Sequence, residues 1–507
     1  MSDSNDKIGQ LIAHVRQERG LTQAEFARQL GTSQSAVNRM EHGRQNLSLE
    51  TLGRISDVLN KQLVSISGSG TTNLRIEGGH ELSGRIGLKT SKNAAVGLLC
   101  ASLLNHGVTR FKSFPRIEEV YRIIEVLESI GVSVKWLPGN DLEIRRPAKL
   151  KLDRLNAPAA RKTRSVLMMI GPLMHETGSF KIPYAGGCKL GTRTVAPHLY
   201  ALEHFGVDIV ATSGHYNVNA KPRAAGEIVL YESGNTVTEN ALFAAARTTA
   251  TTTIQAASGD YMVQDVCYFL RKLGVEIDGI GTQTLTVKGV PRIKKNITYA
   301  PTEDPIEAMF FITAAVTTNS AITIERVPYR WIGLELAKLE KMGLRFSLGK
   351  SYKAANGIAD LADLTVEKHD GGLRAPLDKL HPNLWPGLNP DNLPYFVLIA
   401  AVARGRTLIH DWMYDNRAIY YTELTKIGGQ LELADPHRVY VTGPTRFTIG
   451  DVVCPPALRP ASLLLVGMLA ARGTSILRNV YTINRGYEDL AERLNSLGAH
   501  ITVMHDI

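Results

Sequence analysis

The sequence predicts an α/β body of six repeated units behind a small all-α head. Three observations predict it. An apolar residue, a glycine and then alternating apolar residues recur six times, at Gly131, Gly206, Gly274, Gly343, Gly428 and Gly498. Each glycine follows a run of helical apolar period, such as IEEVYRIIEVLES, and precedes a strand-like alternation, so it reads as a helix C-cap feeding a strand. Residues 7–66 carry helical patterns only, and the polar stretch SGSGTTN at 67–73 separates them from the repeats as a linker.

In the head, Ile8, Leu11, Ile12 and Val15 recur at helical spacing until Gly20. Thr22 opens T-Q-A-E, a capping box with Glu25 at the third helical position, and Phe26, Ala27 and Leu30 form the apolar face. Gly31 stops that helix and Ser33 starts the next, which together make a helix-turn-helix over residues 1–66. In the body, a small-residue turn and a strand precede each helix, as in NHGVTRFKSFP, ETGSFKIPYAG, ARGRTLIHDWM and ARGTSILRNVY. The spacings of 75, 68, 69, 85 and 70 residues exceed those of common helical solenoids and favour globular lobes.

With 507 residues the chain suits about three domains, each able to bury a core. An ordinary 44% hydrophobic and 21% charged composition excludes disordered and fibrous classes. No apolar run reaches the roughly 18 residues of a membrane span, and the start MSDSNDKIGQ has no export pattern. Four cysteines without a C-x-x-C pair point to a reducing cytoplasm. The net charge of +10 invites a nucleic-acid partner, but residues 1–70 hold eight basic and seven acidic side chains. Nine of the ten charges therefore lie in the body, where they suit an anionic small molecule equally well.

The stretch LTQAEFARQLGTSQSAVNRMEHGRQNLSLETLGRISDVL closely resembles the lambda-repressor-like DNA-binding family. The resemblance implies a recognition helix at 33–40, with Gln34, Ser35, Asn38 and Arg39 facing the major groove and Arg44 on phosphate. It also implies a homodimer; a protein-binding helical module is the alternative.

The body, over residues 74–504, resembles the enolpyruvyl transferases, and most closely the UDP-N-acetylglucosamine 1-carboxyvinyltransferase branch that serves peptidoglycan synthesis. The motifs that carry this are S-K-N-A-A at 91–95, Y-A-G-G-C-K-L-G-T-R at 184–193, R-S-V-L-M-M-I-G-P at 164–172, S-G-N-T-V-T-E-N at 233–240, N-P-D-N at 389–392 and I-N-R-G at 483–486. The resemblance implies a two-lobed inside-out α/β barrel, one lobe at 92–299 and the other joining 74–91 to 300–507. It implies phosphoenolpyruvate and a UDP-sugar or related nucleotide as substrates, with no metal or organic cofactor.

By that match Cys188 is the acid of phosphoenolpyruvate chemistry and the target of epoxide inhibitors, with Lys189 and Arg193 favouring its thiolate. Lys92 supplies a fixed ammonium at a helix N-terminus, beside Asn93, and Arg193 and Arg485 bind the phosphoenolpyruvate anion. Asp391 takes the acceptor's hydroxyl proton or orients it. Arg164, the Gly234 backbone, Met413 and Tyr414 border the nucleotide sugar, and Arg459 joins the carboxy-terminal arginines. Asp304 is a second cleft acid or a turn former, both readings standing. Cys100, Cys267 and Cys454 read as core or bystander.

Departures from the family pattern cluster on the acceptor side. Its D-L-R is Ala457-Leu458-Arg459, its R-P-x-D is Arg193-Thr194-Val195-Ala196, and its nucleotide loop reads Leu230-Tyr231-Glu232-Ser233-Gly234. An Arg-Glu pair is replaced by Gly259-Asp260. Two functions fit: an enolpyruvyl transferase fused to a DNA-binding head, or a transcription regulator whose degenerate body senses a nucleotide sugar or a phosphoenolpyruvate-like ligand.

Overall fold

The computed structural model describes residues 9, 12–13, 16–17, 21–42, 47, 51, 55, 58, 72–184, 194–369 and 372–505. The chain divides into two units, 1–71 with 505–507, and 72–504.

In the first unit, helix Gln23–Leu30 starts at the expected capping box: the Thr22 hydroxyl accepts from the Glu25 N–H, and the Glu25 carboxylate accepts from the Thr22 N–H. Gly31 ends it at φ 70°, and Ser33 caps helix Gln34–Glu41. Phe26, Ala27, Leu30, Ala36, Val37 and Met40 bury together with Ile12 and Ile55. A buried ion pair joins Arg16 Nε to Glu41 Oε1 at 2.5 Å, and Gln23 donates to the same carboxylate at 2.8 Å. Gln34, Ser35, Asn38 and Arg39 all lie exposed, at the helical spacing of one face. Arg44 lies outside the described residues.

In the second unit all six repeat glycines take the left-handed conformation, with φ between 81° at Gly206 and 102° at Gly274. A strand follows every one: Ser133–Leu137, Val207–Thr212, Glu276–Asp278, Phe346–Leu348, Gln430–Asp435 and His500–His505. Among the described residues the strands form six separate sheets, and four of them contain a parallel pair, such as Ile297–Tyr299 beside Val108–Phe111. No barrel is closed by hydrogen bonds among the described residues.

The order is inside-out. Helices Pro305–Thr317, Leu393–Val402 and Leu458–Ala470 are apolar nearly all round, which sends them to the interior, and each packs against the other two. Helices Lys92–Ser102 and Asn235–Ala245 pack likewise with the helical segment 164–173. The strands instead alternate buried and exposed side chains, so the sheets lie outside with one face in water. Each fully buried Leu, Ile or Phe of the inner helices contributes about 1.5–3 kcal/mol.

Two large apolar cores result, with a small third cluster at Ala354, Ala359 and Leu361. One runs from Ala94 to Tyr299; the other combines Leu74–Leu88 with Ile306–Ile501. Thr72 and Asn73, which the sequence places at the end of a linker, already belong to strand Thr72–Gly78. That strand pairs with Gly473–Arg478 in a four-stranded sheet, Leu74 opposite Leu477. The chain crosses between the cores twice, and the crossings bond to each other: Ser91 N–H to Thr302 O at 2.7 Å, and Asp304 N–H to Lys89 O at 2.9 Å. Cys100, Cys267 and Cys454 are free and buried, as expected of core cysteines.

Candidate active site

The crossing segments deliver the first side chains. Ser91 caps helix Lys92–Ser102, which sets Lys92 and Asn93 on its opening turn. Asp304 caps helix Pro305–Thr317, its Oδ1 accepting from the Ile306 and Glu307 N–H groups at 2.8 and 3.3 Å. Its Oδ2 faces the Lys92 N–H at 3.4 Å. Asp304 is thus a helix cap and also a wall of the cleft. Burial raises its pKa, with Arg459 opposing.

Asp391 comes from the opposite lobe on an Asx turn, Asn389 Oδ1 accepting from the Asp391 N–H at 2.9 Å. Asn93 Nδ2 reaches Asp391 Oδ2 across the cleft at 3.4 Å, Arg459 Nη2 approaches the same oxygen at 3.5 Å, and Arg417 Nη1 lies 3.8 Å from Oδ1. Burial disfavours ionising Asp391, yet Arg459, Arg417, Lys92 and the Asn93 amide together hold its pKa below the ordinary carboxylate value. With 26% of its side chain exposed, this anion can still meet a ligand. Arg459 is buried, donates to Tyr487 Oη at 2.9 Å, and has its pKa raised further despite its burial.

Arg485 donates to Glu119 Oε2 at 2.9 Å, again from lobe to lobe. Burial opposes the charge on Glu119, but Lys92, Arg485 and the Thr163 hydroxyl (2.6 Å) keep its pKa low. Lys92, Asn93, Asp304, Asp391, Arg459 and Arg485 therefore gather around one cleft. Tyr414 adjoins it with its ring 4.0 Å from the Arg417 guanidinium carbon, and Met413 beside it is half-buried.

A second group lies in the first lobe alone. Arg164 Nη2 donates to Thr194 O at 2.7 Å. Buried His198, its pKa lowered to about 3 by burial and by Arg164, bonds Thr236 at 3.3 Å in the first turn of the helix that Gly234 caps. A side chain at Gly234 would meet nothing nearer than Val237 at 3.6 Å, so packing within the chain does not demand glycine there. Cys188 and Arg193 lie outside the described residues, as does Lys189. The position of the missing family acid, Ala457, is buried at the N-terminus of helix Leu458–Ala470.

Residue-type patterns did not single out Arg417, Asp411, Glu119 or Tyr487. Arg417 is 1% exposed and clamps Asp411 with bonds of 2.5 and 2.9 Å. Its one local signal is the Asp411–Arg417 spacing, which has no regular period across a turn. Among the described residues no group of three or more His, Cys, Asp or Glu side chains could hold a metal ion. No helix among them is long and apolar enough to cross a membrane.

Residues 76–494 match the family EPSP synthase (3-phosphoshikimate 1-carboxyvinyltransferase), and residues 12–66 match a helix-turn-helix family. The chain belongs to the enolpyruvyl transferase family of EPSP synthase, with a helix-turn-helix domain at its head. Among its relatives, a UDP-N-acetylglucosamine 1-carboxyvinyltransferase of Treponema denticola is 31% identical over 426 residues, covering 84% of this chain and 98% of that one. The protein of the same description from Bacteroides thetaiotaomicron is 32% identical over 438 residues, with the same coverage. Among solved structures, the enolpyruvyl transferase NikO from Streptomyces tendae superposes with a TM-score of 0.72 at 24% identity, over 86% of this chain and all of that one. EPSP synthase from Acinetobacter baumannii gives 0.64 at 18% identity.

Proposed function

We propose that the body transfers the enolpyruvyl group of phosphoenolpyruvate to a hydroxyl of a UDP-N-acetylglucosamine-like acceptor, and that the head binds DNA in the cytoplasm. The observation that carries the catalytic reading is the Asp391 carboxylate, kept anionic by Arg459, Arg417 and Lys92 yet part-exposed in a cationic cleft. In this reading Lys92 and Arg485 bind the phosphate and carboxylate of phosphoenolpyruvate, with Arg193 added from its loop. Cys188 provides the proton for the methylene carbon. The acceptor oxygen, its proton drawn toward Asp391, bonds to C2 and gives a tetrahedral ketal phosphate. Loss of a proton from the new methyl group and departure of phosphate then leave the enolpyruvyl ether. Asn93 and Asp304 line the reacting region, while Arg164, Gly234, Met413 and Tyr414 hold the nucleotide sugar.

Phosphate release from phosphoenolpyruvate, measured with and without UDP-N-acetylglucosamine, tests this. Turnover should fall about 10²–10⁴-fold in Asp391→Asn, and comparably in Cys188→Ala and Lys92→Ala. Absence of turnover in the native chain, with a nucleotide sugar still bound, would favour the regulator reading, which the missing carboxylate at Ala457 supports. For the head, the exposed face of Gln34, Ser35, Asn38 and Arg39 supports major-groove contact. Arg39→Ala should weaken operator binding and relax its specificity; unchanged affinity would point to a protein partner.

A further inference from the structure

The turn at Gly259–Asp260, where the chain departs from its family, meets the opposite lobe. A side chain at Gly259 would press on Gly281 O at 2.6 Å and on the Trp385 ring at 3.0 Å, so glycine is what lets Trp385 close against this turn. Asp260 is 6% exposed and caps helix Tyr261–Leu273, accepting from the Tyr261 N–H at 2.6 Å. Its other oxygen accepts from Asn235 Nδ2 at 3.0 Å within its own lobe, and from Asn389 Nδ2 at 3.4 Å across the cleft. Asn389 in turn holds the Asp391 N–H. Hydrogen bonds therefore run from Asn235, next to Gly234, through Asp260 and Asn389 to Asp391.

We propose that Asp260 is a positioning residue: through Asn389 it fixes the turn that presents Asp391, and so ties closure of the lobes on the acceptor side to the placement of that carboxylate. The proposal rests on the reading of Asp391 given above. A buried carboxylate with two amide donors is a conditional tie, because its strength depends on its charge. The ionisable groups that face it are Asp391 on the 389–392 turn, Glu239 on helix Asn235–Ala245, Glu335 on helix Gly333–Lys341 and Tyr261 on its own helix. Burial chiefly, and Asp391 in addition, push its pKa up to about 6, against the Asn235 and Tyr261 hydrogen bonds. Below that pH one acceptor oxygen becomes a hydroxyl, and the Asn389 contact weakens.

The full-length chain and its Asp260→Asn variant test this by two readouts. The first is the Trp385 contribution to fluorescence, taken as native minus Trp385→Phe, from about pH 5 to about pH 8. It should change near pH 6 in the native background and stay flat with Asp260→Asn. The second is phosphate release: Asp260→Asn should raise the acceptor KM about 10-fold, leave the phosphoenolpyruvate KM within about twofold, and remove an acid limb near pH 6. Asp260→Glu, which keeps the charge, should retain that limb. A lower melting temperature with unchanged acceptor KM and unchanged Trp385 response would reduce Asp260 to a helix cap and overturn the proposal. Should the native chain show no turnover, the catalytic reading falls, and the fluorescence decides alone: a Trp385 signal without a step near pH 6, or one that persists in Asp260→Asn, overturns it.

Discussion

Replacing Arg417 by Met removes a guanidinium that is 1% exposed and leaves Asp411, itself 0% exposed, in the same apolar surroundings. The native pair is bidentate, at 2.5 and 2.9 Å, and Arg417 also donates to Pro390 O at 2.7 Å. After the change, the Tyr421 hydroxyl at 2.5 Å is the side-chain donor left to Asp411 among the described residues. Stranding one partner of a buried pair costs about 3–5 kcal/mol. For a lobe of about 200 residues, each kcal/mol moves the melting temperature by roughly 2–4 °C, so the loss should be about 6–20 °C. Scanning calorimetry of the full chain near neutral pH measures it. The double variant Arg417→Met/Asp411→Asn should regain more than half of the loss, because the stranded charge is gone. A drop under about 2 °C, or a double variant no better than the single, refutes the argument that the cost is electrostatic.

Two further outcomes are expected. Glu239 is 1% exposed, its Oε1 has no hydrogen-bond partner among the described residues, and burial with Asp260 and Asp265 pushes its pKa well above the usual value. A carboxyl raised in the fold binds its proton more tightly there than in the unfolded chain, so stability falls as pH climbs from the unfolded value near 4.5 through the folded one. Glu239→Gln should flatten this decline and be no less stable at alkaline pH; parallel melting-temperature curves for the two proteins would contradict it. In the head, Thr22→Ala deletes one half of the capping box and should cost about 1 kcal/mol, lowering the head's thermal transition by about 4–8 °C.

Local chemistry explains what was legible in the sequence. A C-cap glycine and a capping box each declare themselves within a few residues, so Gly131 to Gly498 and Thr22 with Glu25 were readable, whereas the interior placement of the apolar helices followed from the family resemblance alone. Cys100, Cys267 and Cys454 read as core or bystander from the apolar runs or prolines beside them, and all three are buried. The cleft was legible where family motifs mark a turn, as at Lys92, Asn93 and Asp391. Its electrostatic frame was not. Arg485 with Glu119, and Arg459 with Asp391, are partners 366 and 68 residues apart, and no period connects them. The Asp260–Asn389 bond spans 129 residues and depends on Gly259 admitting Trp385, which is a fact of packing.

The pairing of strand Thr72–Gly78 with Gly473–Arg478 also sets a timetable for synthesis. The Ala94–Tyr299 core can form as soon as its own segment leaves the ribosome. The strand before it must wait for a partner about 400 residues away, which at 5–20 residues per second is about 20–80 s. Through that interval the strand bearing Leu74 and Ile76 is an unpaired edge, and for the later part of it the Ala94–Tyr299 segment is already complete. Yield at elevated temperature should therefore depend more on chaperone supply during translation than on the stability of the completed protein.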